Sequence, residues 1–376
     1  MAALYTGRVT IADVARHAGV AKSTVSAVVR NNGRVGAQTR ARVLGAAEEL
    51  GYRPSRTAQA LSLGATRNIG ALYVGGPGQT WRETGDLFLG EALHAGAEVA
   101  GGRGYHLSVL TTTREAIGQG YLRRLLQERH VDGLLVLSYA QLEADDVADL
   151  QAARLPFVLL GQTLVAEPAP HVRLDNFRGA EMAVDYLVSL GHRRVAMVAP
   201  LPTKREWAAR AAGFWSAAGR HRLGDAWAAS GLVPAVGVEA GLEAGRRLLS
   251  GHRRPTAVFG FNDYTAVGVI RAARVRGLRV PDDLSVVGFD NHVGASISDP
   301  GLTTVDHRIA DMGAAAVELL LSLIAGRTGE CPGVVLEPAL VVRESCAPPA
   351  DRAARRRPTV RQANEEERHV RSVPTV

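Results

Sequence analysis

The chain is short of several things. It has two cysteines, two lysines and no long apolar run. Cys331 and Cys346 are too few for a disulfide framework, and their neighbourhoods show no metal-ligand spacing. No uninterrupted apolar stretch approaches the roughly 18 residues needed to cross a bilayer. The best candidate, GAAAVELLLSLIAG, is interrupted by Glu318. The N-terminal MAALYTGRVT lacks the apolar core of an export signal, so a cytoplasmic location and no membrane partner are expected. Chemistry-bearing motifs are missing too. VGGPG at 74–78 has neither a GK[ST] ending nor GxGxxG spacing, which argues against nucleotide hydrolysis. No GxSxG elbow is present, and His292 and His307 have no zinc-ligand spacing. The expectation is a non-enzyme with no cofactor and no metal.

The remaining composition is that of an ordinary soluble globular protein, 46% apolar and 22% charged. That excludes a collagen-like or wholly disordered chain, and 376 residues suit two or three domains. The formal charge of +7 is unevenly spread. Residues 1–68 carry ten basic against three acidic side chains, residues 69–346 carry 27 against 30, and residues 347–376 seven against four. A small basic module on a slightly acidic globule points to a polyanionic partner for that module. Only Lys22 and Lys204 are lysine among the 44 basic residues. This bias is compositional, so the arginine count by itself carries little.

Residues 9–29, VTIADVARHAGVAKSTVSAVV, read as two short helices around a tight turn. Thr10 and Asp13 form a capping-box-like start for a helix over about 11–17, with Ile11, Val14 and Ala15 on one face. Ala18-Gly19-Val20 makes the reversal, with Gly19 free to take positive φ. In the second helix Val25, Val28 and Val29 turn inward, leaving Lys22, Ser23, Thr24, Ser26, Ala27 and Arg30 outside. A third helix over about 37–50 supplies Val43, Leu44, Ala47 and Leu50 to close a small core. This is a helix-turn-helix, whose second helix can enter the DNA major groove. Lys22 opposes the dipole of its own helix at a cost of about 0.3–1 kcal/mol. Ala21 at the N-cap forgoes roughly 1 kcal/mol relative to Ser or Asp. Local stability is not what these positions serve, and a lysine there is suited to guanine N7 and O6.

The stretches TIADVARHAGVAKSTVSAVVRN and TRARVLGAAEELGYRPSRTAQAL resemble the headpiece and hinge of the LacI/GalR family of bacterial transcription regulators. Gly19, Val20, Thr24, Val25, Ser26, Gly51, Tyr52 and Pro54 stand in register. The resemblance implies base-reading roles for Lys22, Ser23 and Ala27, and phosphate contacts from Thr10, Thr24, Ser26 and Tyr52, with Arg30 beside them. Two family serines are replaced, by Ala21 and Gly36. Ala27 stands where many members carry a larger polar residue, and offers only a methyl contact, as to thymine. Residues 54–62, PSRTAQALS, are too short for a helix that is stable alone in water. By the resemblance this hinge folds on DNA against its twin in a dimer, with Ala58 and Leu61 at the minor groove and Leu61 as a wedge that kinks the duplex.

From residue 69, short apolar runs alternate with helical stretches. NIGALYV, YHLSVLT, DGLLVLS, PFVLLG, RVAMVA, TAVFGF and LSVVGFD read as buried strands. Helix-like segments lie near 86–101, 115–129, 176–190, 239–250 and 263–276. That alternation indicates parallel sheets of βαβ units, with ligands bound beyond the carboxyl ends of the strands. LGHRRVAMVAP, RPTAVFGFNDYTAVGVI, GLRVPDDLSVVGFDN and LTTVDH resemble the sugar-binding-protein-like core of the same family. That resemblance implies a ligand cleft lined by Phe88, Leu89, Gln162, Asp175, Arg210, Asn262 and Asp290, in which Arg210 clamps a polar group and Asp290 accepts from ligand hydroxyls. An Asp or Asn at a strand end also serves as a helix cap, which is the competing role for Asp175 and Asn262.

The expected fold is therefore an all-α helix-turn-helix headpiece (1–53), a hinge helix and linker (54–68), a two-lobed α/β core resembling periplasmic binding proteins (69–346) and a disordered polar tail (347–376). The expected function, by the resemblance, is a homodimeric repressor on a pseudo-palindromic double-stranded operator, with its DNA affinity set by a small molecule, a sugar or related polyol ahead of a nucleoside or purine. The competing readings are a solute-binding protein without DNA function and an enzyme on a doubly wound fold. The basic headpiece opposes the first, and the missing nucleophile, metal site and cofactor motif oppose the second.

Overall fold

The computed structural model describes residues 9–29, 35–53, 65–75, 87–128, 130–138, 144–161, 169–200, 205–224, 237–251, 253–327 and 333–350. The headpiece is built from α1 (Ile11–Ala18), α2 (Lys22–Val29) and α3 (Ala37–Glu49). At its start the Thr10 N–H and hydroxyl both donate to Asp13, at 2.9 and 2.7 Å, the carboxylate half of a capping box. Gly19 ends α1 at φ +62°, the left-handed conformation a sharp reversal needs. Val14, Ala15, Ala18, Val25, Val28, Val43 and Ala46 form the small core. Leu44 departs from expectation, being half exposed, while Ala46 is buried. The inward face of α3 runs 43, 46, 47, 50, the three-and-four spacing of a helix, and Leu44 lies one position off it.

The core begins with a six-stranded parallel sheet. Its elements are β1 (Asn68–Gly75), α4 (Leu87–Gly102), β2 (His106–Thr113), α5 (Arg114–Gly118), α6 (Tyr121–Gln127), β3 (Gly133–Ser138), α7 (Ala144–Ala152), β4 (Phe157–Leu160) and β5 (His171–Leu174). The segment expected as one helix near 115–129 is split where Gly120 takes φ +82°. The chain then builds a second lobe from α8 (Asn176–Ser189), β6 (Val195–Val198), α9 (Arg205–Arg220), α10 (Val238–Leu248), β7 (Ala257–Gly260), α11 (Asp263–Val275), β8 (Ser285–Asp290), α12 (Val293–Ile297) and β9 (Thr303–Asp306). It returns to the first lobe for α13 (Ile309–Ile324) and β10 (Gly333–Leu336), and ends the second sheet with β11 (Ala339–Val341).

Strand order is β10-β5-β4-β3-β1-β2 in the first sheet and β11-β9-β8-β7-β6 in the second, with only β11 antiparallel. The seven runs read as strands become β1 to β4 and β6 to β8. The apolar run around Glu318 is α13, buried through Met312, Ala316, Val317 and Leu320 against α4 and the first sheet. Among the described residues the chain passes between lobes three times, at Asp175 (β5 to α8), at His307–Arg308 (β9 to α13) and at Glu337–Pro338 (β10 to β11). No helix among the described residues is long and apolar enough to cross a membrane.

Candidate nucleic-acid interface and ligand cleft

On α2 the valines at 25 and 28 are buried, which turns the intervening polar residues outward. Lys22 and Ser23 are exposed, and Thr24, Ser26 and Ala27 are half-buried. Thr10 is exposed at the start of α1. Tyr52 packs on the headpiece core, and its N–H donates to the Ala47 carbonyl at 2.8 Å, so its ring is held beside the three helices. His17 reaches Glu49 at 2.7 Å and ties α1 to the end of α3. Arg30, Ala58 and Leu61 lie outside the described residues.

The second polar assembly sits at the carboxyl edge of the second sheet. Arg210, one face of α9, is 5% exposed. Its Nε donates to Asn176 Oδ1 at 2.7 Å, one terminal nitrogen to the Phe261 carbonyl at 3.0 Å, and the other to Asp290 Oδ1 at 3.1 Å. The guanidinium also lies 3.8 Å from the ring centre of Phe289 and 4.8 Å from that of Phe261, a stacked cation over two aromatic faces. Trp207, one turn earlier on α9, meets Phe261 edge-on at 5.4 Å.

Asp290 is shared by a second donor. His307 Nδ1 approaches its Oδ1 at 3.0 Å and stands 3.3 Å from Arg210. A neutral ring with its proton on Nδ1 donates to the carboxylate, and Arg210 donates to the same oxygen. Burial pushes His307 below the ordinary imidazole value, in keeping with that neutral form. Burial pushes the Asp290 carboxyl up, but Arg210 and the His307 hydrogen bond outweigh it and hold the group below the usual carboxylate range. The cluster thus contains one cation and one anion that cancel, and leaves Asp290 with acceptor capacity.

Backbone conformation is unusual here. Asp290 has φ +109° and Asn291 φ +58°, two successive non-glycine residues with positive φ. Such conformations persist where the surroundings hold them and gather at functional sites. Asn291 is braced on both sides: its Oδ1 accepts from Arg343 at 2.7 Å, and its Nδ2 donates to Asp306 at 3.3 Å.

Of the residues expected to line a cleft, Arg210 and Asp290 come together. Asn262 caps α11, accepting from the Thr265 N–H at 2.9 Å, directly after the Phe261 carbonyl that receives Arg210. Asp175 caps α8, accepting from the Arg178 N–H at 3.0 Å, and its buried neighbour Asn176 is the one that bonds Arg210. The capping role competing for both positions is the one seen. Leu89 is half-buried against the core, Phe88 is the second residue of α4, and Gln162 lies outside the described residues. Asn176 and Asp263 are the chain neighbours of the expected Asp175 and Asn262, whereas His292, His307 and Arg343 were not expected at the cleft. His292 and His307 stand beside Asp290 at 3.7 and 3.0 Å, and among the described residues no His/Cys/Asp/Glu group is arranged to hold a metal.

A helix-turn-helix joined to a two-lobed α/β core with a polar cluster at the sheet edge defines a DNA-binding regulator with a periplasmic-binding-protein-like core. Residues 10–55 match the family model of bacterial regulatory proteins of the lacI family, and residues 184–346 match that of the periplasmic binding protein-like domain. The HTH-type transcriptional repressor PurR of Mannheimia succiniciproducens is 34% identical over 341 residues, 89% of this chain and 98% of its own. Among solved structures, the Lac repressor dimer bound to operator and the anti-inducer ONPF superimposes with TM-score 0.76 at 28% identity, over 91% of this chain and all of that one. The CelR–cellobiose complex does so with TM-score 0.64 at 30% identity, over 90% and all. The chain belongs to the lacI family of bacterial regulatory proteins and is a transcriptional regulator, as its relatives are.

Proposed function

We propose that the protein is a homodimeric cytoplasmic repressor that binds a pseudo-palindromic operator and changes its DNA affinity when a sugar or related polyol occupies the cleft at Arg210 and Asp290. The observation that carries the reading is the Arg210 cluster. It ties a ligand-facing carboxylate to Asn176 and His307, which stand at two of the three passages between lobes. A ligand hydroxyl that draws on Asp290 or Arg210 competes with those two bonds, so occupancy biases the relative placement of the lobes. The hinge at 54–68 joins the first lobe to the headpiece and passes that bias to the DNA. Two complementary charges that cancel, flanked by neutral hydrogen-bonding groups, suit an uncharged polyhydroxy ligand, and the relative crystallised with cellobiose supports that class.

In the headpiece, Lys22, Ser23 and Ala27 read base edges, while Thr10, Thr24, Ser26, Arg30 and Tyr52 meet phosphates. Ala58 and Leu61 enter the minor groove. The dimer is supported by α12, which exposes Val293 and Ile297 four residues apart on one face, 62% and 77% exposed. Removing residues 1–68 tests the division of labour. The shortened chain is expected to lose DNA binding and keep sugar binding by calorimetry. Retained operator binding would refute the assignment.

A further inference from the structure

We propose that Asp263 is a positioning residue of the ligand cleft, the group that holds the left-handed turn at Asp290–Asn291 so that Asp290 faces Arg210 and a ligand. The proposal rests on the reading of that edge as the ligand site. Asp263 is the first residue of α11 and is 2% exposed. One carboxyl oxygen accepts the His292 N–H at 2.8 Å, and the other is hydrogen-bonded to the Thr304 hydroxyl. It therefore joins three elements: the start of α11, the residue that closes the turn after β8, and β9. The strand leaves room for it, because a Cβ at Gly288 would overlap the Asp263 carboxyl. Asn291 has its own braces in Arg343 and Asp306, but the backbone exit from the turn, at His292, is fixed by Asp263.

The chemistry of the group follows from its neighbours. Burial first, then the Asp290 charge, push its pKa up to about 8, against the opposing pull of Thr304, the His292 N–H and Arg343. Other titratable or charged groups on the elements around it include His292, His307, Asp306 and Arg210, with Glu239, Glu243, Arg246 and Arg247 on α10. At neutral pH Asp263 therefore carries a proton, shared with the Thr304 hydroxyl, and adds no second negative charge beside Asp290. Asn is the isostere of that protonated form, since its amide can donate to Thr304 and its oxygen can accept from His292.

Crystal structures of the full chain test the claim without any ligand. Asp263→Asn is expected to keep positive φ at Asp290 and Asn291, whereas Asp263→Ala is expected to release it. Should the alanine chain not fold, Asp263→Ser serves the same purpose, being too short to reach His292. An unchanged turn in either short variant overturns the proposal. Difference infrared spectra supply a spectroscopic signature: the carbonyl band of a protonated carboxylic acid at pH 7 is expected to be absent from Asp263→Asn, and its persistence in that variant would contradict the charge state. Calorimetry with glucose, ribose and cellobiose adds the functional arm. If binding requires protonated Asp263, Kd for a sugar that binds rises about tenfold from pH 7 to pH 9, and is flat in Asp263→Asn. A panel with no binder defeats the sugar reading, and the crystallographic arm still decides Asp263.

Discussion

Replacing Arg210 with methionine keeps much of the side-chain volume and the contact with Phe289 while deleting the charge. It strands Asp290, a nearly buried carboxylate whose other close donor is His307, and leaves the Asn176 Oδ1 and the Phe261 carbonyl without their partner. Removing one member of a buried ion pair costs about 3–5 kcal/mol. At about 2 °C per kcal/mol for a core of this size, the main calorimetric transition should fall by roughly 6–10 °C. Arg210→Met combined with Asp290→Asn removes both charges, so the double variant should lose less than the two singles together, by about 0.5–3 kcal/mol.

The pH dependence has a definite sign. With Arg210 present, the Asp290 pKa is lowered, so its contribution is present above the unfolded value and is lost as pH falls through the folded one. Without Arg210 the pKa is expected to rise, because burial is the largest influence on the group and its main opponent is gone. The contribution then fades as pH rises above the ordinary carboxylate value, so the deficit of Arg210→Met should be larger at pH 7 than at pH 4. A deficit independent of pH, together with additive single variants, would refute the reasoning.

Four further outcomes are expected. Lys22→Ala should weaken operator binding by about 1–3 kcal/mol while lowering non-specific binding less, read in parallel titrations with operator and mixed-sequence duplexes. Gly19→Ala places a Cβ on a φ of +62° and should destabilise the headpiece by roughly 1–2 kcal/mol, seen as earlier loss of its helical signal on heating. His192 is buried against Thr256, Ser285 and the Ala347 carbonyl, and burial lowers its pKa. Its contribution to stability should therefore be lost as pH falls below about 6.5, and His192→Gln should flatten that part of the denaturation profile. Ile297→Asp should shift the sedimentation of the full chain from dimer to monomer while leaving its circular dichroism unchanged.

The parts of this protein that were legible beforehand are those whose signals are local. The helix-turn-helix follows from Thr10 with Asp13, from Gly19, and from valines at helical spacing within some twenty residues, and the seven apolar runs became strands. Leu44 was misplaced because a helical face was drawn one position off. Strands β5, β9, β10 and β11 lie outside the seven runs: β5 and β9 alternate or begin with polar residues, and β10 and β11 are sheet edges whose side chains stay exposed or half-exposed.

Arg210 and Asp290 were placed by resemblance, not by any local pattern. Of their partners, Phe261 and His307 carried no local signal; with Asn176 they come from separate elements and meet only when the second lobe and its passages are assembled. The strand-end Asp175 and Asn262 each cap a helix, a role their position in the sequence allows alongside lining a cleft.

The central claim is that this chain reads DNA as a dimer under ligand control. Its most direct test is selection of the full-length protein's binding sites from a random duplex pool, with the winner then titrated at about 50 and 200 mM salt with and without the sugar panel. The account predicts an enriched pseudo-palindrome whose affinity falls by roughly 10³–10⁵ across that range for six to ten phosphate contacts, and is changed by at least one sugar. A pool that yields no motif, or a motif without two-fold symmetry, would contradict it.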